Sequence, residues 1–280
     1  MAKNTVLTLK KKVDEGGKVT MVTSYDYTMA ALVEEAGIDM ILVGDSLGMT
    51  MMGYDSTIPV TMDDMVHHTR CVTRATSSTF VVGDMPFLSY EQDVATAVSN
   101  AGRLMKEGRC QAVKLEGGIE VCPQVKAMVE AGIPVVGHIG LTPQSVNAFG
   151  GFKVQGKSAK AAKKLVADAL ALEQAGAFAI VLECVPANLG AYITEQLTSA
   201  FTIGIGAGAT ADSQVLVVQD MLAMTAGGSP KMVRQFAQVG EAIKQAYHDY
   251  DAAVQDGSFP AAAESYKDID PELMEEVKRA

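Results

Sequence analysis

Five apolar runs, each closed at its C-terminal end by an ionisable residue, constrain this chain more than any other feature. Ile41-Leu-Val-Gly44 leads into Asp45 and Phe80-Val-Val-Gly83 into Asp84. Ala112-Val-Lys-Leu115 leads into Glu116, Pro134-Val-Val-Gly137 into His138, and Ala179-Ile-Val-Leu182 into Glu183. Short runs of this kind suit strands covered on both faces. Parallel strands that gather polar residues at their C-terminal ends describe a barrel with its site at one mouth.

The rest of the chain fills in that pattern. Strands are expected at residues 19–24, 40–43, 80–83, 112–115, 134–137, 178–182, 201–205 and 215–218. Helices are expected at 5–18, 28–36, 61–75, 89–107, 122–131 and 158–174. Capping boxes at Thr61–Asp64 and Ser89–Gln92 open two of them, and Gly37 and Gly176 stop two others. Eight alternating units fit a single (β/α)8 TIM barrel domain over residues 1–260 better than a doubly wound sheet. A further amphipathic helix is expected at 231–256, stopped by Gly257. Residues 261–280 form a polar tail, a surface segment or an arm reaching a neighbouring subunit. Two long loops, 44–60 and 139–157, are of a length usually kept for function.

A formal net charge of -10 in 280 residues argues against nucleic acid or an anionic membrane as partner. Cys71, Cys110, Cys122 and Cys184 show no CxxC spacing, so neither zinc nor a disulfide framework is indicated. No apolar run reaches membrane-spanning length, and no apolar h-region follows the lysine-bearing start. A cytoplasmic protein is the expectation.

Asp45, Asp84 and Glu116 would stand on neighbouring strands, about 5 Å apart. Carboxylates that close raise one another's pKa unless a cation sits among them. All-oxygen ligation favours Mg²⁺ or Mn²⁺ over zinc. The alternative is that each acid only caps the helix that follows. Lys114 points the same way as Glu116 and can bind a substrate carboxylate, polarise a carbonyl or make a structural ion pair. Ser46 offers a hydroxyl and an N–H to an anion. His138 can act as acid, ligand or hydrogen-bond donor, or be structural. Glu183, across the pocket from the acids, is placed to take a proton beside a polarised carbonyl, or to cap a helix. His67, His68 and His248 are assigned no role.

The motifs VTSYDY at 22–27, GDSLGM at 44–49, GDMPF at 83–87, VKLEGG at 113–118, GHIGLTPQ at 137–144 and LECVP at 182–186 closely resemble the ketopantoate hydroxymethyltransferase family. The resemblance runs from about residue 3 to residue 260. It implies one Mg²⁺ per subunit, 5,10-methylenetetrahydrofolate as one-carbon donor, and a decamer of two stacked pentameric rings. By motif it places Asp45 and Asp84 on the metal, with Glu116 as a further ligand, and makes Glu183 the catalytic base. Ser46 and Lys114 hold the 2-oxo acid, with Asp45, Asp84 and His138 beside it. The loop at 150–156 matches the family's lid-like loop. Two other readings are a Mg²⁺-dependent lyase of the phosphoenolpyruvate mutase and isocitrate lyase type, and a non-catalytic metal-dependent binding barrel. The first expects a catalytic cysteine after the fourth strand, where Gly117-Gly-Ile-Glu-Val-Cys122 does not match.

Overall fold

The computed structural model describes residues 3–225 and 229–280. Met1 and Ala2, which open the lysine-bearing start and the 1–260 assignment, lie outside the described residues. The strands are β1 Val19–Thr23, β2 Met40–Val43, β3 Phe80–Asp84, β4 Ala112–Glu116, β5 Val135–Gly140, β6 Ala179–Glu183, β7 Phe201–Ile205 and β8 Ser213–Leu216. They form a closed parallel barrel in sequence order, with β8 pairing back onto β1. The helices are α1 Val6–Asp14, α2 Tyr27–Glu35, α3 Leu47–Thr50, α4 Met62–Ala75, α5 Val94–Arg103, α6 Cys122–Glu130, α7 Val146–Phe149, α8 Ala159–Gln174, α9 Ala187–Gln196, α10 Val218–Met221, α11 Val239–Asp256 and α12 Pro271–Arg279.

Period-two alternation sorts the strand residues into two cores. Met21, Met40, Leu42, Phe80, Val82, Ala112, Val136, Ala179, Val181 and Ile203 pack together inside the barrel. Ile41, Val43, Val81, Val113, Val135, Ile180 and Leu182 face outward, onto Val33, Met65, Met128, Leu172 and other helix residues. The inward parity carries the polar groups too. Phe80 and Val82 are followed by Asp84, Ala112 by Lys114 and Glu116, Val136 by His138, and Ala179 and Val181 by Glu183. Strands β3 to β6 therefore change from apolar filling to ionisable mouth in a single two-residue step.

Polar clamps fasten the opposite rim. The side chain of Leu9 on α1 closes the apolar interior from below. Phe178 stands edge-on between Phe80 and Phe201, at 5.9 Å from each. Asp39 accepts hydrogen bonds from the Thr20 N–H (2.7 Å) and hydroxyl (3.0 Å), tying β1 to the start of β2. Asp212 does the same with Thr202 between β7 and β8. Glu34, at the end of α2, accepts from the N–H groups of Ser77, Ser78 and Thr79 at 2.8–3.1 Å, and from two of their hydroxyls. Glu173, at the end of α8, accepts from the N–H groups of Thr198, Ser199 and Ala200 in the same way.

Several element boundaries differ from the sequence expectation. The Ser89–Gln92 box does not open a helix: Asp93 is the N-cap of α5, accepting from Thr96 N at 2.7 Å. Residues 89–92 stay in a turn that carries Tyr90 into the barrel mouth, where it is 1% exposed. The expected continuation of that helix to residue 107 is a π-helical turn, Leu104–Gly108, ended by Arg109 at φ 65°. Strand β5 runs on to Gly140, so His138 lies within the ladder rather than in the turn after it. Helix α9 was not expected, and α11 begins at Val239 rather than 231. The N–H groups of Phe236 and Val239 bond instead to the Met221 and Leu222 carbonyls. The tail holds one exposed helix, α12.

The Glu34 clamp makes a prediction. Despite the opposing cost of burial, the Thr79, Ser78 and Ser77 donors hold its pKa far below the ordinary carboxylate range. A depressed folded pKa adds stability that is complete above the unfolded value near 4.5 and fades as pH falls toward the folded value. Glu34→Gln should cost about 1.5–3 kcal/mol at pH 7, the range for bonds to a charged group. The gap from wild type should narrow on acidification below pH 4.5, read by denaturant unfolding; a gap independent of pH would refute the assignment.

Candidate active site

The strand register brings the inward ionisable groups of β3 to β6 side by side. Asp84 pairs with Lys114, Glu116 with His138, and Gly140 with Glu183. Asp45 joins them from the turn after β2, its N–H donating to Asp84 Oδ2 at 3.1 Å. Lys114 Nζ stands 2.8 Å from Asp84 Oδ1, 3.9 Å from Glu116 Oε1 and 3.2 Å from His138 Nδ1. The His138 ring spans two acids, with Nδ1 3.4 Å from Glu116 Oε1 and Nε2 3.2 Å from Glu183 Oε2. Five of these six side chains are nearly sealed; Glu183 keeps 14%. Gly140, at φ 99°, lets β5 pass close to β6, because a Cβ there would strike the Glu183 carbonyl.

Ser46 lies beside this cluster at the head of α3. Its Oγ is 2.8 Å from the hydroxyl of Tyr25, which is sealed in the core. Burial pushes the Tyr25 phenol up to about 12, so it stays protonated. His68, on α4, holds the Tyr25 carbonyl at 2.7 Å through Nδ1. The site therefore contains every residue expected from the sequence: Asp45, Ser46, Asp84, Lys114, Glu116, His138 and Glu183. It also contains residues that the sequence did not single out. Gln144 donates through Nε2 to Asp45 Oδ2 (2.8 Å), and the Tyr90 hydroxyl donates to Gln144 Oε1 (2.7 Å). Both are neutral and lie in loops, so neither charge nor strand periodicity marked them.

Crowding of charge governs the protonation of the cluster. Burial, then repulsion from Asp84 and Glu116, holds Asp45 well above the usual carboxylate range. Burial also raises Asp84, with Glu116 adding to the rise and Lys114 opposing it. Glu116 goes the other way: burial is outweighed by His138, Lys114 and the Gln144 N–H, and its pKa falls. Burial and Lys114 push His138 down, but the bonds to Glu116 and Glu183 prevail and lift it to about 9. An imidazolium is thus the neutral-pH form.

Four carboxylates, one ammonium and one imidazolium sum to a formal charge of -2. One divalent cation would balance it. Among the described residues no three acid or imidazole groups already converge on one bonding point; the Lys114 ammonium stands among the acids. The donors nevertheless suit such an ion. Asp84 Oδ1 and Glu116 Oε1 are buried without a well-directed hydrogen bond. Asp45 Oδ2 and Glu116 Oε2 are occupied by Gln144 donors, leaving the second oxygen of each acid. Hard oxygens without thiolate fit Mg²⁺ or Mn²⁺. Asp45, Asp84 and Glu116 are the residues that could hold it.

A closed (β/α)8 barrel with acids, a lysine and a histidine buried at its C-terminal mouth places the chain among the acid-mouthed barrels. The solved phosphoenolpyruvate phosphomutase from Streptomyces platensis subsp. rosaceus has the same fold, with a TM-score of 0.60 at 16% identity, covering 99% of this chain and 98% of that one. A family profile described as Ketopantoate hydroxymethyltransferase matches residues 3–262. A 3-methyl-2-oxobutanoate hydroxymethyltransferase of Clostridium novyi (strain NT) is 57% identical over 98% of this chain and 99% of its own length. The enzyme so described in Syntrophomonas wolfei subsp. wolfei (strain DSM 2245B / Goettingen) is 58% identical over 93% of this chain and 94% of its own. The chain is an enzyme and belongs to the ketopantoate hydroxymethyltransferase family.

Lys114 should be indispensable to the unliganded fold. Removing one partner of a buried ion pair costs about 3–5 kcal/mol, because the other charge is left uncompensated. Lys114→Met should lose stability in that range in chelator, and adding Asp84→Asn should restore part of it. Denaturant unfolding measures both; a single mutant as stable as wild type would show that the pair is not balanced as described.

Proposed function

We propose that this enzyme transfers a hydroxymethyl group from 5,10-methylenetetrahydrofolate to 3-methyl-2-oxobutanoate, forming 2-dehydropantoate in pantothenate synthesis. The family assignment supports the reaction. The observation that carries the mechanism is the position of Glu183: it is the least buried acid of the cluster, and His138 separates it from Glu116. In this reading Asp45, Asp84 and Glu116 hold Mg²⁺. Bound there, the ion supplies Lewis acidity that draws electron density from the substrate carbonyl and makes the adjacent C3–H acidic.

The chain's own groups do the rest. Ser46 and Lys114 bind the 2-oxo acid, Ser46 with its hydroxyl set by Tyr25. Glu183 accepts the C3 proton. The His138 ring, with Nε2 3.2 Å from Glu183 Oε2, puts positive charge beside that oxygen and leaves Oε1 for the proton. Lys114 puts positive charge near the oxygen of the resulting enolate. The folate methylene carbon is bonded to two nitrogens and both bonds break: C3 replaces one nitrogen and the oxygen of water replaces the other. The nitrogens take up one proton from that water and the one that Glu183 removed from C3. The substrate carbon is the nucleophile, so the mechanism needs no cysteine; Cys122 sits at the start of α6 with Sγ toward the Gly118 carbonyl. The active form is a homodecamer of two pentameric rings in the cytoplasm. Exposed Tyr247, Tyr250, Leu273, Met274 and Val277 on α11 and α12 are apolar surface available to such an assembly. Among the described residues no helix is long and apolar enough to cross a membrane.

Formation of 2-dehydropantoate from 3-methyl-2-oxobutanoate and the folate tests the reaction directly. Glu183→Gln keeps shape but cannot take the proton: exchange of the C3 hydrogen with solvent, read by NMR, should fall by about 10²–10⁴-fold. Exchange within a few fold of wild type would remove Glu183 from the role of base. Metal binding should release protons, since Asp45 and Asp84 are held above the ordinary carboxylate range and must ionise to ligate. Affinity for Mg²⁺ should therefore rise with pH, with calorimetry in buffers of different ionisation enthalpy reporting the released protons. Chelator should abolish activity and Mg²⁺ restore it; full activity in metal-free protein would defeat the metal reading.

A further inference from the structure

Gln144 is 4% exposed, at the 3-10 turn Pro143–Ser145 that follows β5. It bonds to two acids of the cluster, Glu116 and Asp45. Its backbone N–H donates to Glu116 Oε2 at 3.0 Å, and its side-chain Nε2 donates to Asp45 Oδ2 at 2.8 Å. The second Nε2 hydrogen goes to the Met85 carbonyl at 2.9 Å, just past the end of β3. Its Oε1 accepts from the Tyr90 hydroxyl at 2.7 Å. That hydroxyl accepts from the Glu116 N–H at 3.1 Å, and of the two acceptors within reach of its one proton Gln144 Oε1 is nearer than the Glu116 carbonyl at 3.1 Å. The amide orientation follows, because a phenol donor against Oε1 leaves Nε2 as the atom facing Asp45.

We propose that Gln144, pinned by Tyr90, is a positioning residue that spaces Asp45 and Glu116 for a divalent cation. The proposal rests on the metal reading above. The two acids repel one another, and Gln144 is a neutral group bonded to both. By occupying Oδ2 of one and Oε2 of the other, it leaves to an ion Asp45 Oδ1 and the Glu116 Oε1 that lies 3.9 Å from Lys114 Nζ and 3.4 Å from His138 Nδ1. It also ties the loop after β5 to carboxylates just after β2 and on β4, so metal affinity depends on where that loop rests. Partners that orient metal ligands in this way typically account for 10–100-fold in affinity.

The test measures Mn²⁺ binding to the whole oligomer by electron paramagnetic resonance without substrate, alongside thermal unfolding in chelator. Gln144→Met keeps the length of the side chain and removes both amide functions. It should weaken Mn²⁺ binding by about 10–100-fold. Tyr90→Phe keeps the ring, releases the amide and should weaken binding by a smaller factor in the same direction. A purely structural residue would lower the unfolding temperature in chelator and leave the dissociation constant alone. A dissociation constant within threefold of wild type in folded Gln144→Met overturns the proposal. Wild type with no saturable Mn²⁺ binding overturns the metal reading, and this proposal with it. Saturable wild-type binding lost in Asp84→Asn but unchanged in Gln144→Met overturns the positioning role alone.

Discussion

Four acids and two cationic side chains share one sealed barrel mouth, and no neutral arrangement of them exists without a proton or a further cation. Burial makes each unpaired charge expensive, so the surroundings are arranged to share charge. The Lys114 ammonium lies against Asp84 and near Glu116, and the His138 imidazolium is drawn between Glu116 and Glu183. What these two cations do not neutralise appears as the raised proton affinity of Asp45 and Asp84. The same excess negative charge that destabilises the unliganded mouth gives it affinity for a hard cation. A wholly neutral mouth would be more stable and would have nothing to offer a metal.

Strand parity made most of this visible in advance. Val82 precedes Asp84 by two residues, Val136 precedes His138, and Val181 precedes Glu183, so a reader who accepts the strands obtains the inward acids with them. Lys114 and Glu116 follow by the same rule. Asp45 was legible for another reason, as the polar residue of a glycine-flanked turn. Tyr90 and Gln144 were not legible, because each is a neutral loop residue whose value lies in which distant atoms it touches. Asp45 and Gln144 are 99 positions apart.

The misread boundaries have physical causes as well. Ser89-Tyr-Glu-Gln92 has the spacing of a capping box, but Tyr90 is needed in the mouth, and Asp93 provides a competing cap four residues later. Helix α9 was not expected, and Gly190 in its middle weakens the local helical signal. In the fold a Cβ at that position would meet the Ala207 carbonyl, so the glycine permits close packing of α9 on the loop after β7. The segment before α11 has amphipathic spacing, yet its backbone donors go to carbonyls at the end of α10. In each case a tertiary partner overrode a local preference.

The Glu34 and Glu173 clamps recur at an interval of four strands. Each sits on the helix after one strand and grips the loop that leads into the strand two further on. Each therefore splices three consecutive strands into one mechanical unit, β1 to β3 in one half and β5 to β7 in the other. Peeling the start of β3 away means breaking three backbone bonds to a helix that belongs to an earlier repeat. Like hoops on a cask, the two clamps hold the staves at the closed end, away from the mouth where the acids gather.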